Sequence, residues 1–295
     1  MAVVVTGATG NLGRLVIDEL LDRVPARHIT AVVRSRSKAA RMASRGVRVH
    51  VADYDRPETL EGAFRAGDEV LLISSDSAGA RHTAQHATVI RTAKVAGVRL
   101  LAYTSVLAAP TATFSIGRDH RATEHVLATS GLPYVLLRNG WYNENYTGHL
   151  DAILEHGQVF GSAGEGRVAT AARADYAAAA ALVLTGSGQT ETIYELSGDT
   201  AFSLADLAAE VSRQSGREIT YPELSPAEYQ AFMVSQGVAS ADAAQLVDAD
   251  AAIARGELAH TPGDLRRLLG RPTTPIADSI STALDTLTAG DADSA

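Results

Sequence analysis

The stretch VVVTGATGNLGRLV, residues 3–16, places three glycines at equal spacing between an apolar run and a helical pattern. Gly7 permits a tight turn, Gly10 lets the backbone approach a ligand, and Gly13 lets the helix lie close to the strand. The first N–H groups of such a helix are unpaired and lie at the positive end of its dipole, so they bind phosphate. The stretch predicts a strand–turn–helix unit that binds a dinucleotide pyrophosphate through Gly7, Ala8, Thr9, Gly10, Asn11, Leu12 and Gly13. A tight turn without a ligand is the alternative.

Further apolar runs follow this unit, with helical patterns between them: ITAVVR, VRVHVAD, EVLLISS, VRLLAYTS and PYVLLRNG. Runs that are apolar on both faces are typical of buried parallel strands. The alternation predicts an α/β fold, a Rossmann-type doubly wound parallel sheet.

Beyond about residue 140 the sequence becomes mostly helical, and SPAE at Ser225 has the pattern of a capping box with proline at the first helical position. We expect a Rossmann domain that binds NADP(H) at residues 1–140. A smaller, mostly helical C-terminal cap on the substrate side should follow at residues 141–290 and partly return to the Rossmann sheet. Residues 291–295 are expected to be a flexible tail.

Composition excludes several classes of function. The 295 residues carry a net charge of −8 and no Lys/Arg run, so neither nucleic acid nor a membrane surface is an expected partner. The absence of cysteine excludes disulfides and thiolate chemistry. No window approaches the roughly 20 apolar residues of a membrane helix, and the N-terminal apolar run is too short for a signal peptide. We expect a cytoplasmic protein.

The end of the second predicted strand indicates which dinucleotide is bound. A ribose 2′-hydroxyl favours an acidic residue at this position, whereas the sequence has Arg34. Arginine suits a 2′-phosphate as a bidentate donor and stacks on adenine, so NADPH is favoured and NADH should bind more weakly. The alternative is a solvated basic loop, which explains Arg36 and Lys38 better than Arg34.

The third predicted strand ends in ADYD. Asp53 can accept a hydrogen bond from the adenine amino group, and Tyr54 would line the same pocket. An Asx turn that closes the strand explains Asp53 equally well.

The glycine motif, Arg34, LLISS, AYTS, HRATE, LPYVLLRNGWYNENY, ARADYAAAAA and LGRPTT together span nearly the whole chain. In this combination the sequence resembles the NmrA-like atypical short-chain dehydrogenase/reductases. It is most similar to the flavin-free NAD(P)H:quinone oxidoreductases, with triphenylmethane dye reductases as relatives. The resemblance implies a small quinone as hydride acceptor. It also implies that further residues line the cofactor: Ser75, Asp76, Ser77, Arg138, Asn139, Gly140, Trp141 and Arg173.

The sequence departs from the wider superfamily at its acid/base group. Alcohol- and ketone-acting members carry a serine and a Tyr-x-x-x-Lys pair, in which lysine lowers the tyrosine pKa. Here Ser105 is near the serine position, but His120 and Glu124 occupy the other two positions. Ordinary alcohol oxidation is therefore disfavoured. His120 could donate a proton to the hydroquinone anion, and the alternative is a half-exposed helix face with a local His–Glu contact. Without a third ligand, no metal site is expected.

Quinones need less acid/base help, because hydride addition produces an aromatic hydroquinone anion. The loop RNGWYNENY leaves the sixth strand at its carboxyl end, so Asn139, Tyr142 and Asn143 are candidate donors to quinone oxygens. Trp141 could stack on a flat substrate or belong to the core.

Two classes of function remain open. The first is NADPH-dependent, flavin-free and metal-free reduction of small quinones, with reduction of triphenylmethane or azo dyes as a variant. The second is a non-catalytic NADP(H)-binding redox sensor or regulator. A homodimer is compatible with either class, since many relatives with this fold dimerise through sheet-flanking helices.

Overall fold

The computed structural model describes residues 2–186 and 191–292. The chain divides into two compact units, each built from several segments. Unit 1 comprises Met1–Pro110, Ile116–Asn139 and Arg173–Leu196, and unit 2 comprises Thr111–Ser115, Gly140–Ala172 and Ser197–Ala295. The segment Arg173–Leu196 thus belongs to the first unit.

The strands, in chain order, are β1 Val3–Val5, β2 Ile29–Val33, β3 Arg48–Val51, β4 Glu69–Leu72, β5 Leu100–Val106, β6 Tyr134–Asn139, β7 Trp141–Tyr142, β8 Arg167–Ala171, β9 Thr192–Leu196 and β10 Ala201–Ser203. The α-helices are α1 Asn11–Leu21, α2 Ala40–Ser44, α3 Gly79–Ala96, α4 Ser115–Ala128, α5 Glu144–Thr147, α6 Leu150–His156, α7 Arg173–Thr185, α8 Leu204–Ser215, α9 Pro226–Ser235, α10 Ser240–Ala254, α11 Asp264–Leu269 and α12 Ile276–Ala292.

Unit 1 contains a parallel sheet of seven strands in the order β3-β2-β1-β4-β5-β6-β9. Strand β1 lies between β2 and β4, with Val3 level with both Ile29 and Glu69. The strands β1, β4 and β5 are buried along their full length, as runs that are apolar on both faces require. The predicted Rossmann-type fold is confirmed, and the strand order changes direction between β1 and β4.

The helices of unit 1 cover the sheet with apolar faces. Helix α1 buries Leu12, Val16, Ile17 and Leu20, the predicted helical period. It packs against α7, whose run of alanines is buried and allows close approach of the two backbones.

Unit 2 contains a small sheet in the order β10-β8-β7 and the C-terminal helices. The predicted capping box at Ser225 is confirmed: its hydroxyl accepts from the Glu228 backbone N–H, with Pro226 at the first helical position. A second box, at Ser203, begins α8. Of the expected tail, residues 293–295 lie outside the described residues, and α12 extends to Ala292. No helix in the described part of the chain is both long and apolar enough to cross a membrane.

Candidate functional site

A cavity of about 240 Å³ in unit 1 opens at the carboxyl ends of β1, β2, β3 and β4. Open parallel sheets bind ligands at such an edge, where the strand order reverses. The predicted residues that line it are Gly7, Thr9, Gly10, Asn11, Leu12, Gly13, Arg34, Asp53, Tyr54, Ser75 and Asp76. The cofactor residues predicted from the glycine motif and from the first three strands therefore share one cavity, except for the buried Ala8.

The glycine loop forms the phosphate end of this cavity. Gly7 has φ +60°, a left-handed conformation that favours glycine, and its carbonyl accepts the Gly10 N–H at 2.9 Å. A Cβ on Gly13 would lie 2.4 Å from the Gly7 oxygen, so only glycine lets the helix lie this close to the strand. Gly10 caps α1 without any side-chain hydrogen bond. The first N–H groups of the helix are thus left for an anion.

Arg34 extends from the end of β2 along the cavity wall. Its Nη2 atom lies 3.7 Å from Asp76 Oδ2, and the two side chains are 75% and 81% exposed. An ion pair this exposed contributes little stability, so a phosphate can replace the Asp76 carboxylate as the partner of Arg34 at little cost. This geometry fits the 2′-phosphate of NADPH.

Asp53 satisfies both sequence interpretations. Its Oδ1 atom accepts the Asp55 N–H at 3.1 Å, which is the Asx turn, and the residue also lines the cavity. The Tyr54 hydroxyl donates to the Ile73 carbonyl at 3.4 Å, and burial raises the pKa of Tyr54. The Tyr54 hydroxyl is therefore uncharged where the side chain lines the pocket.

Within the described part of the chain, two buried polar side-chain atoms at this cavity have no hydrogen-bond partner. They are Ser75 Oγ and Gln85 Oε1, on the loop after β4 and on α3. A buried polar atom without a partner is costly, and a ribose hydroxyl or a carboxamide can satisfy both. These residues and the glycine loop fit a nicotinamide dinucleotide.

His120 and Glu124 do not lie on a half-exposed helix face, and that expectation is wrong. His120 is 7% exposed and Glu124 is 9% exposed. His120 Nδ1 lies 2.6 Å from the Tyr103 hydroxyl, and burial lowers the pKa of His120 to about 3. His120 is therefore neutral near pH 7 and does not line the cavity, which argues against the expected role as proton donor.

Glu124 is the centre of a buried ion-pair network. Its carboxylate accepts from Ser105 Oγ at 2.5 Å and from Arg138 at 2.9 and 2.7 Å. Arg138 also donates to Glu195 at 2.6 Å. The position that holds the lysine in the wider superfamily thus holds Glu124 here, in a buried ion pair with Arg138 of β6.

Arg138 does not line the cavity described above, because its guanidinium is held by the two glutamates. Asn143 was a candidate donor to a quinone, but its amide donates to the Thr274 carbonyl at 3.1 Å and to Ser279 Oγ at 2.8 Å. It also accepts from Thr170. Asn143 is fully buried and holds unit 2 together.

The other predicted residues do not line the cavity either, and their roles stay predictions: Ser77, Asn139, Gly140, Trp141, Tyr142 and Arg173. Trp141 and Tyr142 form β7 and are half-buried beside β8. Asn139 ends β6 and is 5% exposed.

Sequence reasoning missed Gln85, which lines the cavity from α3. His86 is fully buried and accepts the Ser75 N–H at 2.9 Å, a contact with this loop that the sequence did not indicate. Both residues reach this loop because α3 packs beside it, and no local sequence pattern indicates that tertiary contact. In the part of the chain that the structure describes, no three His, Asp or Glu residues are grouped to hold a metal ion.

The cavity and a match to a family model together define the class of protein. Residues 7–186 match the model of a family described as NAD(P)H-binding, and the chain belongs to that family. Within it, quinone oxidoreductase 2 of Escherichia coli (strain K12) is 46% identical over 279 residues, covering 95% of this chain and 97% of the relative. The resemblance to NAD(P)H:quinone oxidoreductases that the motifs indicate is therefore confirmed.

Solved structures agree with this placement. The crystal structure of NADPH-dependent quinone oxidoreductase QOR2 from Escherichia coli complexed with NADPH matches with a TM-score of 0.92 and 44% identity, covering 96% of this chain and 99% of that chain. Triphenylmethane reductase from Citrobacter sp. complexed with NADP(H) matches with a TM-score of 0.91 and 36% identity, covering 96% and 100%.

Proposed function

We propose that this protein reduces small quinones to hydroquinones with NADPH, by direct hydride transfer and without flavin. The observation that carries the proposal is the cavity of unit 1, where an uncapped helix N-terminus and Arg34 offer two separate anion sites. One suits a pyrophosphate and the other a 2′-phosphate. The 46% identity to quinone oxidoreductase 2 supports the choice of acceptor.

The residues of the chain bind and orient the cofactor rather than supply an acid. The glycine loop holds the pyrophosphate, Arg34 the 2′-phosphate, and Ser75 with Gln85 the polar groups farther along. NADPH supplies the hydride, and the quinone takes up two electrons and two protons in all. The hydroquinone anion is a weak base compared with an alkoxide, so solvent can supply its proton. His120 and Glu124 in place of a tyrosine and lysine, with Glu124 paired to Arg138, are compatible with such chemistry.

Loss of the near-ultraviolet absorbance of NADPH tests the proposal. Purified protein is mixed with NADPH and a panel of benzoquinones, naphthoquinones, triphenylmethane dyes and azo dyes, each against a blank without protein. We expect acceleration with at least one simple quinone, and lower rates with NADH. No acceleration over the panel would exclude the enzyme, and a yellow protein with bound flavin would contradict direct transfer.

Two other functions remain open, and one of them has an observation of its own. Reduction of dyes is supported by the likeness to triphenylmethane reductase, and the panel separates dyes from quinones. A redox sensor would bind NADPH without turnover of any acceptor. We place the protein in the cytoplasm, since a chain without cysteine fits a reducing compartment.

A further inference from the structure

Three consecutive backbone N–H groups follow β4, and each donates to a side chain from a different element. They belong to the cofactor loop, which we define as residues 73–76, all of which line the cavity. The three bonds are Ile73 N–H to Thr6 Oγ1 at 3.2 Å, Ser74 N–H to Thr104 Oγ1 at 2.9 Å, and Ser75 N–H to His86 Nε2 at 2.9 Å.

These bonds replace the sheet ladder. The pairing of β4 with β5 ends at Leu72 and Tyr103, and the following amides bond to side chains instead. A buried N–H without an acceptor is unfavourable, and the acceptors Thr6, Thr104 and His86 are themselves 0–3% exposed. Buried side chains therefore fix the backbone of the cofactor loop.

His86 differs from the two threonines, because its bonds define one tautomer. Nε2 accepts an N–H and must carry a lone pair, so the proton of the neutral ring is on Nδ1. Nδ1 lies 3.1 Å from Thr123 Oγ1, and that hydroxyl donates in turn to the Asp119 carbonyl at 3.3 Å. Each donor in this series of hydrogen bonds, from Ser75 through His86 and Thr123 to Asp119, has an acceptor.

The surroundings keep the ring neutral. Burial, with His82 and His120 beside it, lowers the pKa of His86 to about 2. The His82 and Tyr103 rings are centred 4.0 and 5.3 Å from it. A protonated ring would carry hydrogen on both nitrogens and could no longer accept from Ser75.

We propose that His86 is a positioning residue for the cofactor: its neutral Nδ1–H tautomer fixes Ser75 and so holds the cofactor loop in the conformation that binds NADPH. This inference rests on the proposed function. Ser75 Oγ is buried at the cavity and has no partner among residues 2–186 and 191–292, so a loop held at the Ser75 backbone presents this hydroxyl to the cofactor. His86 itself does not line the cavity.

Three variants separate positioning from packing. His86→Phe keeps a ring but removes the acceptor, His86→Gln retains an acceptor, and His82→Phe is the matched control in the same cluster. His82 is 3% exposed, and its Nδ1 atom has no hydrogen-bond partner among the described residues. We expect His86→Phe to raise the NADPH dissociation constant about tenfold to a hundredfold, the scale of an unsatisfied buried N–H. His86→Gln and His82→Phe should stay within about threefold of the wild type.

Equal weakening in His86→Phe and His82→Phe would assign the effect to packing and overturn the proposal, as would unchanged affinity in a folded His86→Phe. The tautomer is tested on the wild-type protein by long-range ¹H–¹⁵N spectra. These should show an unprotonated His86 Nε2 with a scalar coupling to the Ser75 amide nitrogen. A proton on Nε2 would overturn the proposal even if no variant folds. Absent NADPH binding by the wild type would instead count against the proposed function, and the spectra would still decide the role of His86.

Discussion

The N-termini of two helices in unit 2 differ from that of the first helix in unit 1. In unit 2, α8 and α9 begin with capping boxes, in which Ser203 and Ser225 accept from the backbone and Asp206 and Glu228 bond back to it. In unit 1, α1 begins at Gly10 without any side-chain cap. Unpaired N–H groups at a helix start are costly unless water or a ligand takes them. The difference separates two helix ends that serine side chains close from one that is uncapped and lies at the cavity.

The two units also differ in the buried groups whose pKa is shifted by burial. Unit 1 buries bases in neutral form, since burial lowers the pKa of His86 to about 2 and that of His120 to about 3. Unit 2 buries an acid, and burial raises the pKa of Asp250 to about 6 although Asp250 accepts from the Ser162 N–H at 2.7 Å. Protonation of these histidines at low pH should therefore destabilise unit 1. Ionisation of Asp250 at neutral pH should destabilise unit 2.

The largest expected effect is at the packed glycine of the open helix. In Gly13→Ala the new Cβ would meet the Gly7 oxygen at 2.4 Å and Ala8 Cα at 2.7 Å, both backbone atoms that cannot move aside cheaply. We expect a loss of stability of about 3 kcal/mol or more, or no folded protein, measured by urea unfolding.

Gly10→Ala is the matched control for this prediction. Its Cβ would meet only the Gly7 oxygen, at 3.2 Å, and Gly10 has φ −72°, which alanine adopts freely. The variant should fold and bind NADPH more weakly, because Gly10 lines the cavity. A Gly13→Ala protein as stable as Gly10→Ala would show that α1 does not need this close approach.

Asp250→Asn should stabilise the protein at neutral pH. The folded pKa of about 6 lies above the unfolded value of 3.8, so the contribution of this group is full below about pH 4 and is lost as pH rises to about 6. The loss amounts to ~3 kcal/mol, which the amide avoids. Unfolding at pH 4 and pH 8 measures it: we expect a gain only at pH 8, and an equal change at both values would contradict the assignment.

The open cofactor site should depend on Arg34. Arg34→Asp should weaken NADPH binding by ~1.5–3 kcal/mol, because a charge-assisted hydrogen bond to the 2′-phosphate is replaced by repulsion. Arg36→Asp in the same loop is the control, since Arg36 is exposed and does not line the cavity. Titration with NADPH and NADH checks both. If Arg34→Asp left NADPH affinity unchanged, or if both variants lost it equally, the 2′-phosphate would lie elsewhere.

The neutral histidines of unit 1 predict acid sensitivity. The folded pKa of His120, about 3, lies below the unfolded value of about 6.5, so its contribution is complete above pH 6.5 and falls as pH drops. At pH 5 the loss is ~2 kcal/mol. In His120→Gln, stability should therefore fall by ~2 kcal/mol less than in the wild type between pH 7 and pH 5. Identical slopes in urea unfolding would show that His120 titrates normally.

The sequence predicts the sheet and the glycine loop because both depend on local patterns. Apolar runs mark the buried strands, and the spacing of Gly7, Gly10 and Gly13 marks the turn. The fate of Arg138 could not be predicted in this way. Its partners Glu124 and Glu195 come from α4 and β9, and only the order of the strands brings them together. The same holds for Asn143, which reads as a loop donor until its bonds to Thr274 and Ser279 are seen.

The smallest effect should come from a closed helix end. In Ser225→Ala the Glu228 N–H loses its side-chain acceptor, so the protein should lose ~1 kcal/mol of stability in urea. NADPH affinity should not change, since this cap belongs to unit 2 and the cavity is lined by residues of unit 1. Ser203→Ala should behave alike, because α8 has the same capping box. If either serine variant kept its stability but bound NADPH differently, the division between closed and open helix ends would be wrong. The serine would then act on the cofactor site rather than on its own helix.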